Sequence, residues 1–351
     1  MIPRSAVTWH TAPRENTAWQ QALASAIRDP HELLAALDLP DSMLPAARAA
    51  AERFGLCVPR GYLERMERGN PHDPLLLQVL PGAAELVDTP AFAGDPVGDL
   101  QAMTRPGLLH KYHGRVLLVT TAACAVHCRY CFRRDFPYAQ ANAGAASWRQ
   151  ALDYIGADPS ISEVILSGGD PLSLSDRRLS ALAEALAAIA HVRRLRIHTR
   201  QPIVLPERVD AALLAWLRAS PLQTVVVVHA NHPREIDARV AAALDRLRGA
   251  GLTLFNQAVL LRGVNDDADT LAALSEALFD SGVVPYYLHL LDRVRGAAHF
   301  EVEESRAREL VDALRNRLPG YLVPRLVREQ PGRPAKTLRE ASAGEPSPPR
   351  G

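Results

Sequence analysis

From Arg115 onward the chain repeats one pattern six times: a short apolar run, a polar cluster, then an amphipathic helical stretch. That alternation constrains the fold more than any other feature, because strands joined through helices pair in parallel and need both faces of their sheet covered. The strand candidates are 116–120, 163–166, 194–197, 224–228, 253–259 and 284–289. The run Thr224-Val225-Val226-Val227-Val228 is β-branched throughout, as a strand buried on both faces should be. Helical patterns cover 176–189, 209–218, 236–249, 268–280 and 303–318, with Gly249 and Gly251 closing one helix and Pro319-Gly320 another. Units of this size recurring six times predict an α/β fold, a partial TIM-like (β/α)6 barrel rather than two separate domains. Its active face should lie at the C-terminal ends of the strands.

The polar clusters fall there. Ser167-Gly168-Gly169-Asp170-Pro171 follows the second strand and His198-Thr199-Arg200 the third; His229-Ala230-Asn231-His232-Pro233 follows the fourth, Asn256-Gln257 lie within the fifth, and Asp292 follows the sixth. After the first strand comes Cys124-Ala-Val-His-Cys128-Arg-Tyr-Cys131, a C-x3-C-x2-C run. Three thiolates in one loop suit an iron–sulfur cubane with one iron left open, since full protein ligation takes four. Tyr130 and Phe132 would put an apolar shell around the sulfurs. The competing readings are zinc or chance, but zinc knuckles prefer a second C-x2-C pair, and the fourth cysteine, Cys57, stands alone as a small hydrophobe.

A net charge of +1 over 351 residues offers no bulk attraction to nucleic acid or membranes. Hydrophobic content of 48% supports a substantial core. No apolar run approaches the roughly 18 residues needed to span a bilayer, and the start lacks a signal-peptide core, so the expected location is cytoplasmic. A reducing compartment would keep clustered cysteines available to metal. Residues 1–110 read as a mainly helical extension, with helices near 19–28 and 30–37. Residues 111–320 form the barrel, 321–340 a short C-terminal segment carrying Lys336, and 341–351 a disordered tail rich in Ser, Pro and Gly.

Other constellations have plain alternatives. Gly168-Gly169-Asp170-Pro171 lets backbone approach a ligand and offers a carboxylate for an ammonium group, yet it is also an ordinary turn. The run His110–Arg115 suits an anion such as phosphate, or is a solvated strand start. His229 and His232 read as hydrogen-bonding groups at a pocket floor. Lys336 is the sole lysine besides Lys111, and sits in an irregular loop. It is either a surface charge or an amine for a Schiff base with a cofactor aldehyde.

Together, the cysteine run, the Gly-Gly-Asp-Pro turn and the partial barrel resemble the radical S-adenosylmethionine (SAM) enzymes. Within them, 110–132, 231–265 and 286–292 resemble the lysine 2,3-aminomutase branch; Pro319–Leu326 is most similar to bacterial members that make (R)-β-lysine for elongation factor P. Coverage runs from about Arg53 to Thr337. The resemblance implies a [4Fe-4S] cluster on Cys124, Cys128 and Cys131, with S-adenosylmethionine on the open iron near Gly168, Gly169 and Asp170. It implies pyridoxal 5'-phosphate on Lys336, its phosphate held by Tyr112 and Arg115. Arg133 matches the clamp for the lysine carboxylate, and Asp292 one of two acids for the distal ammonium. Glu329 stands where the family's second acid is expected, one methylene longer, and the glycine-rich approach to the lysine is reduced to Gly332 with Arg333-Pro334-Ala335. Implied partners are L-lysine, a one-electron donor such as flavodoxin or ferredoxin, and elongation factor P with its lysyl ligase; a homo-oligomer is compatible, and neither nucleic acid nor membrane is expected. Two other classes stay open: a radical aminomutase for another amino acid, and a non-enzymatic iron–sulfur or zinc protein.

Overall fold

A computed structural model describes residues 17–141 and 145–339. Its strands form one ten-stranded sheet in sequence order. They are β1 (Met103–Arg105), β2 (Leu108–Tyr112), β3 (Arg115–Thr121), β4 (Glu163–Gly168), β5 (Arg194–Thr199), β6 (Gln223–Val228), β7 (Thr253–Val259), β8 (Val284–His289), β9 (Arg325–Arg328) and β10 (Thr337–Leu338). Neighbours from β3 to β9 pair in parallel, whereas β1, β2 and β10 are antiparallel additions at the two ends.

The six strands expected from the alternation are β3 to β8, and two regions depart from it. The lead-in is not purely helical: β1 and β2 form a hairpin that extends the sheet, and the expected boundary at residue 110 cuts through β2. Their signal is weak because Arg105-Pro106-Gly107 and His110-Lys111 interrupt the apolar pattern. Beyond 320, β9 continues the parallel ladder against β8, so the C-terminal segment belongs to the barrel wall. Its alternation Arg325-Leu326-Val327-Arg328 is too short to read without the sheet beside it. The tail 341–351 lies outside the described residues.

Crossover helices begin where the sequence supplies caps. Asp210, Asp237 and Asp267 each accept a hydrogen bond from the backbone N–H three residues on. The helix Glu304–Arg315 buries Ala307, Leu310, Val311 and Leu314, the i, i+3, i+4, i+7 stripe that faces a sheet. Each such leucine contributes about 1.5–3 kcal/mol by leaving water. One large core fills the space between sheet and helices. A second joins the N-terminal helices, through Ile27, Leu33, Leu34 and Leu56, to Ala125 and Val126 of the cysteine loop. The extension therefore clamps the loop. No helix among the described residues is long and apolar enough to cross a membrane.

Candidate active site

A cavity of about 460 Å³ opens at the C-terminal ends of the parallel strands. The cluster, cofactor and substrate residues implied by the resemblance all line it: Cys124, Cys128 and Cys131; Gly168, Gly169 and Asp170; Tyr112, Arg115 and Arg133; Asp292, Glu329 and Lys336.

At one end the cysteine loop leaves β3 and is fastened to the end of β4. The Gly169 and Asp170 N–H groups donate to the Thr121 and Ala123 carbonyls at 2.7 and 2.8 Å. Gly168 sits at φ +119°, and a Cβ on Gly169 would lie 2.5 Å from the Ala123 oxygen. The close backbone approach anticipated at this turn is thus made to the cysteine loop itself. Asp170 is buried, and its carboxylate accepts from the Leu172, Arg200 and Gln201 N–H groups and from Thr199 Oγ1. It ties β4 to β5 and has no spare capacity for an ammonium group.

Burial and the neighbouring thiols push Cys124 well above the ordinary thiol range and Cys131 up to about 11. Three thiolates gathered here need a cationic centre to stabilise them. Among the described residues no group of three His, Cys, Asp or Glu is drawn together as a single ion requires. One zinc would set its sulfurs about 3.8 Å apart, given a bond of about 2.3 Å. A cubane takes each thiolate on a different iron, so it does not ask the three sulfurs to converge on one ion.

Arg133 is buried in the wall, donating to Asp99 Oδ2 at 2.7 Å and Ser167 Oγ at 2.9 Å, and stacked on Phe132. Asp99 also pairs with Lys111 Nζ at 2.6 Å. Burial would raise the Asp99 carboxyl, but Arg133 and Lys111 outweigh it and hold it low. Asp99 carried no signal in the sequence, since it lies in an irregular part of the extension.

The opposite end belongs to the C-terminal segment. Lys336 Nζ donates to Glu329 Oε2 at 2.7 Å, and Tyr112 Oη to Glu329 Oε1 at 2.5 Å. The Arg115 guanidinium lies over the Tyr112 ring. Asp292 faces the cavity without a hydrogen bond to its carboxyl among the described residues, and burial pushes its pKa up to about 7. His198 Nε2, His289 Nε2 and Gln257 Nε2 are buried without partners among the described residues. Burial drives His198 and His289 well down and His229 to about 4, so these rings are neutral at ordinary pH. His232, by contrast, accepts from the Arg234 N–H in its own turn and does not line the cavity.

Residues 118–274 match the Radical SAM superfamily. The chain is 50% identical to the L-lysine 2,3-aminomutase of Escherichia coli K12 over 332 residues, covering 94% of this chain and 96% of that one. The Haemophilus influenzae L-lysine 2,3-aminomutase is 47% identical over 93% and 96% of the two chains. That of Clostridium subterminale is 34% identical over 91% and 77%. The chain belongs to the L-lysine 2,3-aminomutase family.

As an aminomutase of the radical SAM superfamily it is an isomerase that works with a [4Fe-4S] cluster and S-adenosylmethionine. The donor set fits the cluster: three half-buried thiols from one loop, with no fourth cysteine in the cavity lining. Cys57 lies just behind, its thiol on the Ala125 carbonyl at 3.2 Å. For a phosphorylated aldehyde cofactor the aminomutase cavity also fits, offering the Lys336 amine, two cavity-lining groups in Tyr112 and Arg115, and ring and amide nitrogens without a partner among the described residues that a polar ring could satisfy.

Proposed function

We propose that this chain converts L-lysine to (R)-β-lysine, with pyridoxal phosphate bound through Lys336. The observation that carries the reading is a single cavity lined by three thiols, the Lys336 amine and the Asp292 carboxyl, which carries no hydrogen bond among the described residues. When bound, the cluster with S-adenosylmethionine supplies a radical that takes hydrogen from the substrate, and pyridoxal phosphate supplies delocalisation for the shift of the amino group.

The protein's own residues bind, orient and exclude. Cys124, Cys128 and Cys131 hold the cluster; Gly168, Gly169 and Asp170 shape the floor against which S-adenosylmethionine lies. Tyr112 and Arg115 take the cofactor phosphate. Arg133 uses Nε and Nη1 internally, which leaves Nη2 for the substrate carboxylate. Asp292 takes the distal ammonium, and a cation there draws its pKa back down from about 7. Glu329 is held by Lys336 and becomes available to substrate once that amine is committed to the cofactor. Its two oxygens meet Lys336 and Tyr112 separately. Closed walls keep a primary radical from water and stray C–H bonds. A flavodoxin or ferredoxin would supply the electron. The resemblance of Pro319–Leu326 supports elongation factor P, through its lysyl ligase, as destination of the product.

The test is anaerobic turnover with reductant and S-adenosylmethionine, lysine run beside glutamate, ornithine and arginine, and a chiral assay of the product. Lysine should be preferred and yield the (R)-isomer. Equal or better turnover of glutamate would overturn the lysine assignment.

A further inference from the structure

Arg200, just past β5, is buried, and it reaches the cysteine loop from a different strand. Its Nη1 lies 2.7 Å from Cys128 Sγ. Nη2 is fixed by Gln78 Oε1 at 2.6 Å, Glu235 Oε2 at 2.9 Å and Tyr62 Oη at 3.3 Å. The Tyr62 and Tyr130 rings both lie 5.7 Å from the guanidinium carbon. Glu235 is anchored in turn, its Oε1 accepting from the Asn231 and His232 N–H groups. A planar fork held this way cannot swing, so its aim at the Cys128 sulfur is fixed. None of this is needed to bind lysine or a phosphate.

We propose that Arg200 is a positioning residue of the cluster, its N–H donating to the Cys128 sulfur and setting how readily the cluster accepts an electron. The inference rests on the reading of the three cysteines as cluster ligands. Reduction adds negative charge that spreads onto the ligand sulfurs. A guanidinium at hydrogen-bonding distance, in surroundings of low dielectric, stabilises the reduced form more than the oxidised one. Glu235 occupies the other arm of the fork, so it moderates the charge without displacing the sulfur.

The experiment is an anaerobic redox titration of the full chain, reconstituted with iron and sulfide and followed by visible absorbance and electron paramagnetic resonance, without S-adenosylmethionine or lysine. Arg200→Gln alone would strand the Glu235 charge and risk the fold, so it is combined with Glu235→Gln; Arg200→Lys keeps the charge but loses the fork. The double variant should hold the cluster yet reduce at least tenfold less favourably, about 59 mV for a one-electron couple. Arg200→Lys should shift the same way by less, and Glu235→Gln alone the opposite way. Iron-replete variants with an unchanged midpoint would overturn the proposal, as would loss of iron from both Arg200 variants with native circular dichroism, which would make the arginine an assembly residue. Wild-type protein that takes up no iron would fail at the cysteines instead, removing the reading beneath.

Discussion

The two ends of the cavity are built to opposite rules. Around the cysteine loop the charged groups are mostly answered by protein: Glu85 takes Arg129 through both oxygens and Arg134 through one, and Asp170 accepts four donors. Elsewhere in the lining, among the described residues, Asp292 carries no hydrogen bond to its carboxyl and His198, His289 and Gln257 each keep a buried nitrogen unpaired. Buried polar groups left open cost stability, so those that line the cavity mark where ligands complete the structure. The contrast separates a socket for a resident group from a binding floor for molecules that come and go.

The largest effect should follow from removing the socket's purpose. Changing Cys124, Cys128 or Cys131 to Ala should abolish the cluster's absorbance and S-adenosylmethionine cleavage, while Cys57→Ala keeps both; a fully active Cys128→Ala protein would sink the cluster assignment. Next comes Glu85→Gln, which leaves the fully buried Arg129 guanidinium and Arg134 without their carboxylate. Urea unfolding should show a loss of about 3–5 kcal/mol. Gly169→Ala should cost less, about 1–3 kcal/mol, because the new methyl displaces the Ala123 carbonyl and with it the loop. Its signature is poorer iron uptake at nearly native circular dichroism.

The smallest effect has the opposite sign. Asp292, with a folded pKa near 7 against an ordinary 3.8, binds a proton more tightly when folded. Its carboxyl therefore costs the cofactor-free protein stability as pH rises from about 4 through 7. Asp292→Asn should stabilise that form by about 1–3 kcal/mol at pH 8 and change little at pH 4, while lysine turnover falls severely. A destabilised Asp292→Asn protein at pH 8 would erase the distinction between the two ends.

Much of this was readable before any coordinates. Strands β3 to β8, their helices and the polar clusters at their ends follow from local periodicity, which the sequence carries directly. Lys336 was conspicuous because it is one of two lysines. Asp99, Glu85, Gln78 and Glu235 were not legible, since each matters through a partner far along the chain: Asp99 with Arg133, Glu85 with Arg129, Gln78 and Glu235 with Arg200. Arg200 stood in a recognised cluster, but its partner sulfur comes from another loop. The strands β1, β2 and β9 were hidden for a related reason. Short, partly charged segments become strands only because a neighbour offers its open edge.

The amine that completes the cavity sits just before β10, a two-residue strand paired only to β9. Translation runs from the N-terminus, so the thiols of the cysteine loop emerge long before Lys336 does. A chain interrupted inside the C-terminal segment would still carry its sulfur wall but lack the group that gives a radical something safe to act on. The last strands of the barrel are therefore the part whose loss would leave the cysteine loop in place and remove Glu329 and Lys336 from the cavity lining.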